Sequence, residues 1–195
     1  MRLFVALELQ PAIADALDLA IAPLRETEPD LAWVPRDKLH LTMKFLGDVG
    51  ETAVTAISRA ADGVAARHRP FDMRLGEVGA FPNFRRARVV WIGVENEPRL
   101  ELLHHDLEIA CAELGYEVEG RAFRPHVTLA RVRTTLPLDR ARRFARAARG
   151  VDFVADTHVA SLIVMESVVA TPQAGGGGAR YRRIHAAALG ELGER

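Results

Sequence analysis

Apolar positions along the chain alternate between short continuous runs and stripes at helical spacing. Residues 3–9 (LFVALEL) form a run of strand length, and after Pro11 the apolar residues recur at helical spacing to about Arg25. Residues 39–46 (LHLTMKFL) predict a second strand, closed by Gly47 and followed by an Ala-rich helix over 51–67. Residues 71–78 and 88–94 predict a hairpin whose long tip holds Phe81 and Pro82. Residues 98–114 (PRLELLHHDLEIACAEL) have helical period, with a proline in the first turn and Gly115 past the end. A strand over 123–132, an arginine-rich amphipathic helix over 136–149, apolar runs at 151–154 and 159–168, and a short last strand near 180–185 complete the pattern.

Strands and helices mix without steady βαβ alternation, which predicts an α+β fold. The order of strand, helix, strand, helix and paired strands occurs twice, so the expectation is bilobal: two pseudo-symmetric lobes of antiparallel sheet with flanking helices, with residues 1–195 forming one two-lobed domain. About half of the 195 residues are apolar, enough for a substantial core.

Charge and cysteine content narrow the chemistry. Lys plus Arg and Asp plus Glu number 26 each, so any nucleic-acid contact must be local. Cys111 is the single cysteine, which excludes an internal disulfide and multi-cysteine zinc patterns, and fits a reducing cytoplasm. No apolar run approaches the roughly 20 residues of a membrane span, so a soluble, unprocessed cytoplasmic protein is expected.

Of seven histidines, only His40 and His126 are followed two places later by threonine, in His40-Leu41-Thr42-Met43 and His126-Val127-Thr128-Leu129. The copies match in residue type at every position. On a strand, residues two apart share a face, so each copy presents an imidazole beside a hydroxyl, with the apolar neighbours turned to the core. Two such strands brought together would aim two imidazoles and two hydroxyls at one phosphoryl group. Opening a cyclic phosphodiester needs one group to accept a proton from water and another to donate one to the departing oxygen, and imidazole can do either near neutrality. Strict alternation puts Lys44 on the face of His40 and Thr42, and turns Arg131 away from His126 unless the strand ends or bulges at Ala130.

These stretches resemble the two-histidine phosphoesterases, and within them the RNA 2′,3′-cyclic phosphodiesterases also described as 2′-5′ RNA ligases. The matching segments are RLFVAL at 2–7, KLHLTMKFLGDV at 38–49, RVVWIGV at 88–94, RPHVTLAR at 124–131 and RYRRI at 180–184. The resemblance implies a central cleft, no metal or cofactor, an RNA substrate ending in a 2′,3′-cyclic phosphate, and a 2′-phosphate product. It implies His40 as proton donor to the leaving 3′-oxygen and His126 as proton acceptor, with Thr42, Thr128 and Arg131 binding the phosphate. The same pair could run the reverse, ligating reaction, and a monomer is expected.

Other features have blander readings. His104 and His105 sit side by side on a helix and do not share a face, which makes a metal site there poor. His68, His158 and His185 receive no role. The glycines at 175–178 lack a following Lys-Ser/Thr and read as a flexible loop over the cleft. The arginines at 140, 142, 143, 146 and 149 read by default as a solvated helix face, with RNA-backbone contact as the alternative. Trp33, Trp91, Phe81 and Phe84 are core candidates, though a loop aromatic could stack on a base. Three competing functions remain: action on small cyclic nucleotides or ADP-ribose cyclic phosphate, a non-catalytic RNA-binding protein, and a metallohydrolase.

Overall fold

In the computed structural model the described residues are 1–168 and 180–190, so the glycines at 175–178 lie outside them. Among the described residues the nine strands are β1 (Arg2–Glu8), β2 (Ala32–Trp33), β3 (His40–Asp48), β4 (Phe71–Phe81), β5 (Val89–Val94), β6 (His126–Arg131), β7 (Ala155–Val159), β8 (Ser161–Val168) and β9 (Arg180–Ala188). The helices are α1 (Pro11–Ala20), α2 (Ala22–Thr27), α3 (Val54–Ala65), α4 (Pro98–Glu113) and α5 (Leu138–Arg149). The expected first helix is split in two, with Pro23 starting the second piece. Proline is tolerated in a first turn and not in a helix interior.

All strands join one antiparallel sheet in the order β7-β4-β5-β6-β3-β1-β8-β9, with β2 added beside β6. The sheet divides into two lobes of four strands at the β3–β6 seam, as the α+β bilobal expectation requires. The lobes are not consecutive halves of the chain, however. Helices α1 and α2 follow β1 yet pack with the opposite lobe, against β7 and α5, while α3 and α4 lie over β8, β9 and β3. The chain crosses the seam repeatedly, so neither lobe is built from one continuous segment.

One face of the sheet is covered by helices and holds the main core, including Leu3, Val5, Leu7, Leu41, Ile92, Val127 and Phe144. The other face is the open one. There Phe4, Ala6, Ile163 and Met165 form a small buried cluster with Tyr181 against it. Residues 3–7 are buried throughout because alternate side chains of β1 enter the two clusters, which explains why its sequence is a continuous apolar run.

At the seam the register pairs Leu41 with Val127, both fully buried. Beyond it the strands diverge, and β2 occupies the edge of β6 that β3 leaves, pairing Ala32 with Arg131 and Trp33 with Ala130. Each central strand then carries a one-residue bulge at the same distance from its histidine. In β3, Val5 pairs with Lys44 and Ala6 with Thr42, leaving Met43 as the extra residue. In β6, Val90 pairs with Ala130 and Trp91 with Thr128, leaving Leu129. A bulge puts two successive side chains on the same side and reverses the alternation beyond it.

The bulge corrects the expectation for Lys44. It does not accompany His40 and Thr42 but turns to the helical face, where its Nζ donates to Glu108 Oε2 at 2.7 Å and to the Glu117 carbonyl at 2.5 Å. The backbone N–H of Glu119 donates to the same carboxylate oxygen at 2.9 Å. This buried pair ties α4, and the segment leading from it to His126, onto β3. Cys111, on the same helix, is buried, and burial pushes its thiol pKa up to about 11, far from a nucleophile's range. Lys44→Met leaves the Glu108 carboxylate buried without its cation and is expected to cost about 3–5 kcal/mol in denaturant unfolding; Lys44→Met with Glu108→Leu is expected to recover a large part of that loss.

Candidate active site

Each histidine stands at the first residue of its strand and is fixed by its own chain. Nδ1 of His40 lies 2.8 Å from the carbonyl of Lys38, and Nδ1 of His126 lies 2.7 Å from the carbonyl of Arg124. A carbonyl can only accept, so both Nδ1 atoms carry the hydrogen, and in each ring Nε2 is left to exchange a proton. The two copies thus share both a sequence and a ring-fixing bond two residues back.

The seam brings the copies together. One step from the Leu41–Val127 pair, antiparallel register sets Thr42 across from His126 and Thr128 across from His40. Side chains directly across from one another lie about 4.5–5.5 Å apart at Cβ, and the His40–His126 diagonal about 7–8 Å. That gap suits a tetrahedral phosphoryl group held between two imidazoles. All four side chains are partly exposed on the open face, while Leu41 and Val127 are fully buried behind them.

Arg131 joins this face. The bulge at Leu129 supplies the exception that strict alternation needed, sending Leu129 and Ala130 to the core and returning Arg131 to the open side, paired with Val89. Its positive charge reaches His40, whose pKa lies below the ordinary imidazole value. Burial of the ring is the main cause, and Arg131 adds to it; the bond to the Lys38 carbonyl and the charge of Glu8 oppose them.

The corresponding bulge in β3 has a consequence that alternation misses. Phe45 stands five residues after His40, as Arg131 stands five after His126, and it too returns to the open face, pairing with Phe4 at a ring separation of 5.9 Å. At 67% exposure it is an aromatic ring held out from the open face. The matched offset was the available signal, since the bulge that would rescue Arg131 would equally turn Phe45.

Aromatic rings seat both imidazoles. His40 contacts Phe4 at 5.1 Å and meets Tyr181 edge-on at 5.0 Å. His126 meets Phe81 edge-on at 5.0 Å and approaches Trp91 at 6.4 Å. Phe81 and Trp91 therefore belong to the site and not only to the core, whereas Trp33 and Phe84 both pack on Phe144. Trp91 lies across Gly79, where an added Cβ would sit 2.3 Å from the indole, so a glycine there is what lets the ring lie flat behind His126.

Beside His40 the cleft deepens into a cavity of about 520 Å³, bordered among others by Leu9, Arg36, Lys38, Tyr181 and Arg183. That size accommodates a nucleotide. Its charges are partly spent on one another, Arg183 on Glu8 and Arg36 on Asp15. Among the described residues no group of three or more His, Cys, Asp or Glu side chains could hold a metal ion. Four of the other five histidines take other contacts: His104 stacks on Phe123 at 3.8 Å, and His68, His158 and His185 pair with Asp106, Asp72 and Asp62, while His105 is exposed on α4.

Comparison with known proteins gives the family and the fold. The 2′-5′ RNA ligase superfamily matches residues 11–167. A protein of Methanothermobacter thermautotrophicus named RNA 2′,3′-cyclic phosphodiesterase is 32% identical over 133 residues, covering 68% of this chain and 72% of its own. One of the same name from Archaeoglobus fulgidus is 34% identical over 137 residues, covering 70% and 76%. Among solved structures, a Thermus thermophilus protein superposes with a TM-score of 0.77 at 28% identity, over 98% of this chain and 100% of its own. Escherichia coli LigT complexed with 3′-AMP gives 0.73 at 28% identity, over 97% and 98%. With the family matched over most of its length and the paired histidines meeting at one seam, the chain belongs to the 2′-5′ RNA ligase superfamily.

Proposed function

We propose that this chain, acting over residues 1–195 as one two-lobed domain, opens a 2′,3′-cyclic phosphate at an RNA end to a 2′-phosphate without a metal, using His40 and His126 as acid and base. The observation that carries this reading is the pair of imidazoles pinned through Nδ1 at one seam, each with Nε2 free to exchange a proton. Relatives that bear the cyclic phosphodiesterase name support the substrate class.

In the proposed step His126 Nε2 takes a proton from water as its oxygen bonds to phosphorus. The P–O3′ bond breaks, and His40 Nε2–H gives its proton to the departing 3′-oxygen, leaving a 2′-phosphate and a 3′-hydroxyl. Thr42 and Thr128 donate hydroxyl hydrogens to the non-bridging oxygens, and Arg131 opposes the negative charge that grows there. His40 starts with a depressed pKa, so in the free protein near neutrality its ring is mostly neutral. A bound phosphate anion between it and Arg131 favours protonation, which arms the donor only when substrate is in position.

The 520 Å³ cavity beside His40 would equally take a mononucleotide, so action on small cyclic nucleotides is the second reading. Comparing an oligonucleotide with a mononucleotide cyclic phosphate separates the two.

Three measurements test the reading. Product analysis with EDTA present, on a short RNA ending in a 2′,3′-cyclic phosphate, is expected to give a 2′-phosphate. His40→Ala and His126→Ala should each lower kcat by about 10²–10⁴. No turnover by the unaltered protein, or turnover that one divalent ion alone restores, would sink the proposal. NMR titration should find the His40 ring with its midpoint below about 6.5. In Arg131→Met that midpoint should rise, because removing a nearby positive charge favours the imidazolium, while burial keeps it below the ordinary value. Phe45, exposed on the cleft face, is positioned to stack on a base; Phe45→Ala should raise KM for RNA about tenfold with little change in kcat, in line with about 1–3 kcal/mol per stacked base.

A further inference from the structure

Equal numbers of acidic and basic side chains conceal a strongly uneven distribution on the His126 lobe. Helix α5 turns Ala141, Phe144, Ala145 and Ala148 into the core and leaves Arg142, Arg143, Arg146 and Arg149 exposed on its outer face. The 3-10 helix Phe84–Arg86 packs against α5, joined by Phe84 on Phe144 at 5.9 Å, and adds the exposed Arg85 and Arg86. None of these six arginines pairs with a carboxylate among the described residues; Arg2, Arg59, Arg69, Arg121, Arg124 and Arg180 are exposed and unpaired too, but they are spread over other elements, whereas these six lie on two elements packed together. Glu28, the buried acid near the start of α5, is occupied by Arg140. On the helix itself Asp139 is the single acid.

This surface is continuous in the chain with the site. Phe81, which touches the His126 ring, ends β4 three residues before the 3-10 helix. Arg131, on the cleft face, ends β6 seven residues before α5 begins. Both paths leaving the His126 side of the cleft therefore run into unpaired arginines.

We propose that the outer face of α5 and the adjoining 3-10 helix bind the phosphodiester backbone of the RNA whose end occupies the cleft. The inference rests on the RNA reading of the site and adds to it a backbone track remote from the reacting phosphate. Unpaired guanidiniums on a rigid helix about 18 Å long match a row of phosphates over several nucleotides. With no net charge to attract RNA over the whole surface, such a track would supply most of the electrostatic affinity for long substrates and none for a dinucleotide.

The test compares the unaltered chain with the variant Arg142→Gln, Arg143→Gln, Arg146→Gln, Arg149→Gln, first checked for an unchanged circular dichroism melt. Binding is read by fluorescence anisotropy on a hairpin RNA that ends in a 2′-phosphate, so that no turnover is needed, across a salt titration. The variant is expected to bind about tenfold more weakly or worse at low salt, with the slope of log K against log salt reduced by about 3, from four lost phosphate contacts. In parallel, kcat/KM on a dinucleotide ending in a 2′,3′-cyclic phosphate should be the same for both proteins, while that on the hairpin falls for the variant. Equal hairpin affinity and equal salt slope overturn the inference, and would leave the face to an acidic protein partner. A chain that binds the hairpin through these arginines yet turns over neither substrate would sink the proposed catalysis and leave the track standing.

Discussion

The meeting of β3 and β6 at Leu41 and Val127 is the constraint on which the rest depends. Two fully buried aliphatic side chains lock the register of the central strands, and a slip of one residue would turn the histidine of the slipped strand into the core and its aliphatic neighbour into the cleft. The register therefore fixes more than sheet geometry. It decides that His40 and His126 lie diagonally opposed across the seam and that each stands opposite the other's threonine. The divergence of the strands beyond that pair makes room for substrate, and β2 takes up the edge of β6 that would otherwise lack a partner.

Electrostatics then distinguishes two sites that sequence makes look alike. His40 sits against Phe4 and Tyr181 beside a deep cavity, and burial together with Arg131 disfavours its charged form. On the proposed function, acid catalysis by such a ring would be conditional on a bound anion, which would help the site discriminate a phosphate ester from water. Away from the cleft, charge is handled differently again. Lys44 and Glu108 neutralise each other in the core, several surface arginines pair with carboxylates, and six without such a partner among the described residues lie together on α5 and the adjoining 3-10 helix.

What the sequence made legible, and what it did not, follows from the range of the interactions involved. The strands and helices could be placed because burial on one or two faces imposes a period on neighbouring residues, as in 3–7, where both faces are covered. The His-x-Thr copies could be paired because their spacing is local and repeated. Bulges are another matter. They arise where two strands accommodate each other's twist, so nothing in LHLTMKFL alone announces that Met43 is extra, and strict alternation puts Lys44 on the wrong face and gives no sign of Phe45 on the open one. Strand β2 is legible only once β6 is known to need a neighbour. The weaving of the chain between lobes was hidden for the same reason: an internal echo reports similar units and says nothing of which helix covers which sheet.

The two bulges also explain how a nearly symmetric scaffold can hold an asymmetric substrate. At the first four positions of each copy the residues match in type, and the chemistry wants that, since an acid and a base exchange roles when the reaction reverses. Five residues on, after equivalent bulges, one copy presents Phe45 and the other Arg131. A ring and a guanidinium at equivalent places cannot both serve a base or both serve a phosphate. On the proposed function, a nucleotide would lie with its base toward the β3 side and its charge toward the β6 side, the lobe that carries the exposed arginines of α5. In that reading, symmetry supplies the paired proton-transfer groups, and the departure from it, at a position that bulging turns to the open face, would give the substrate its direction.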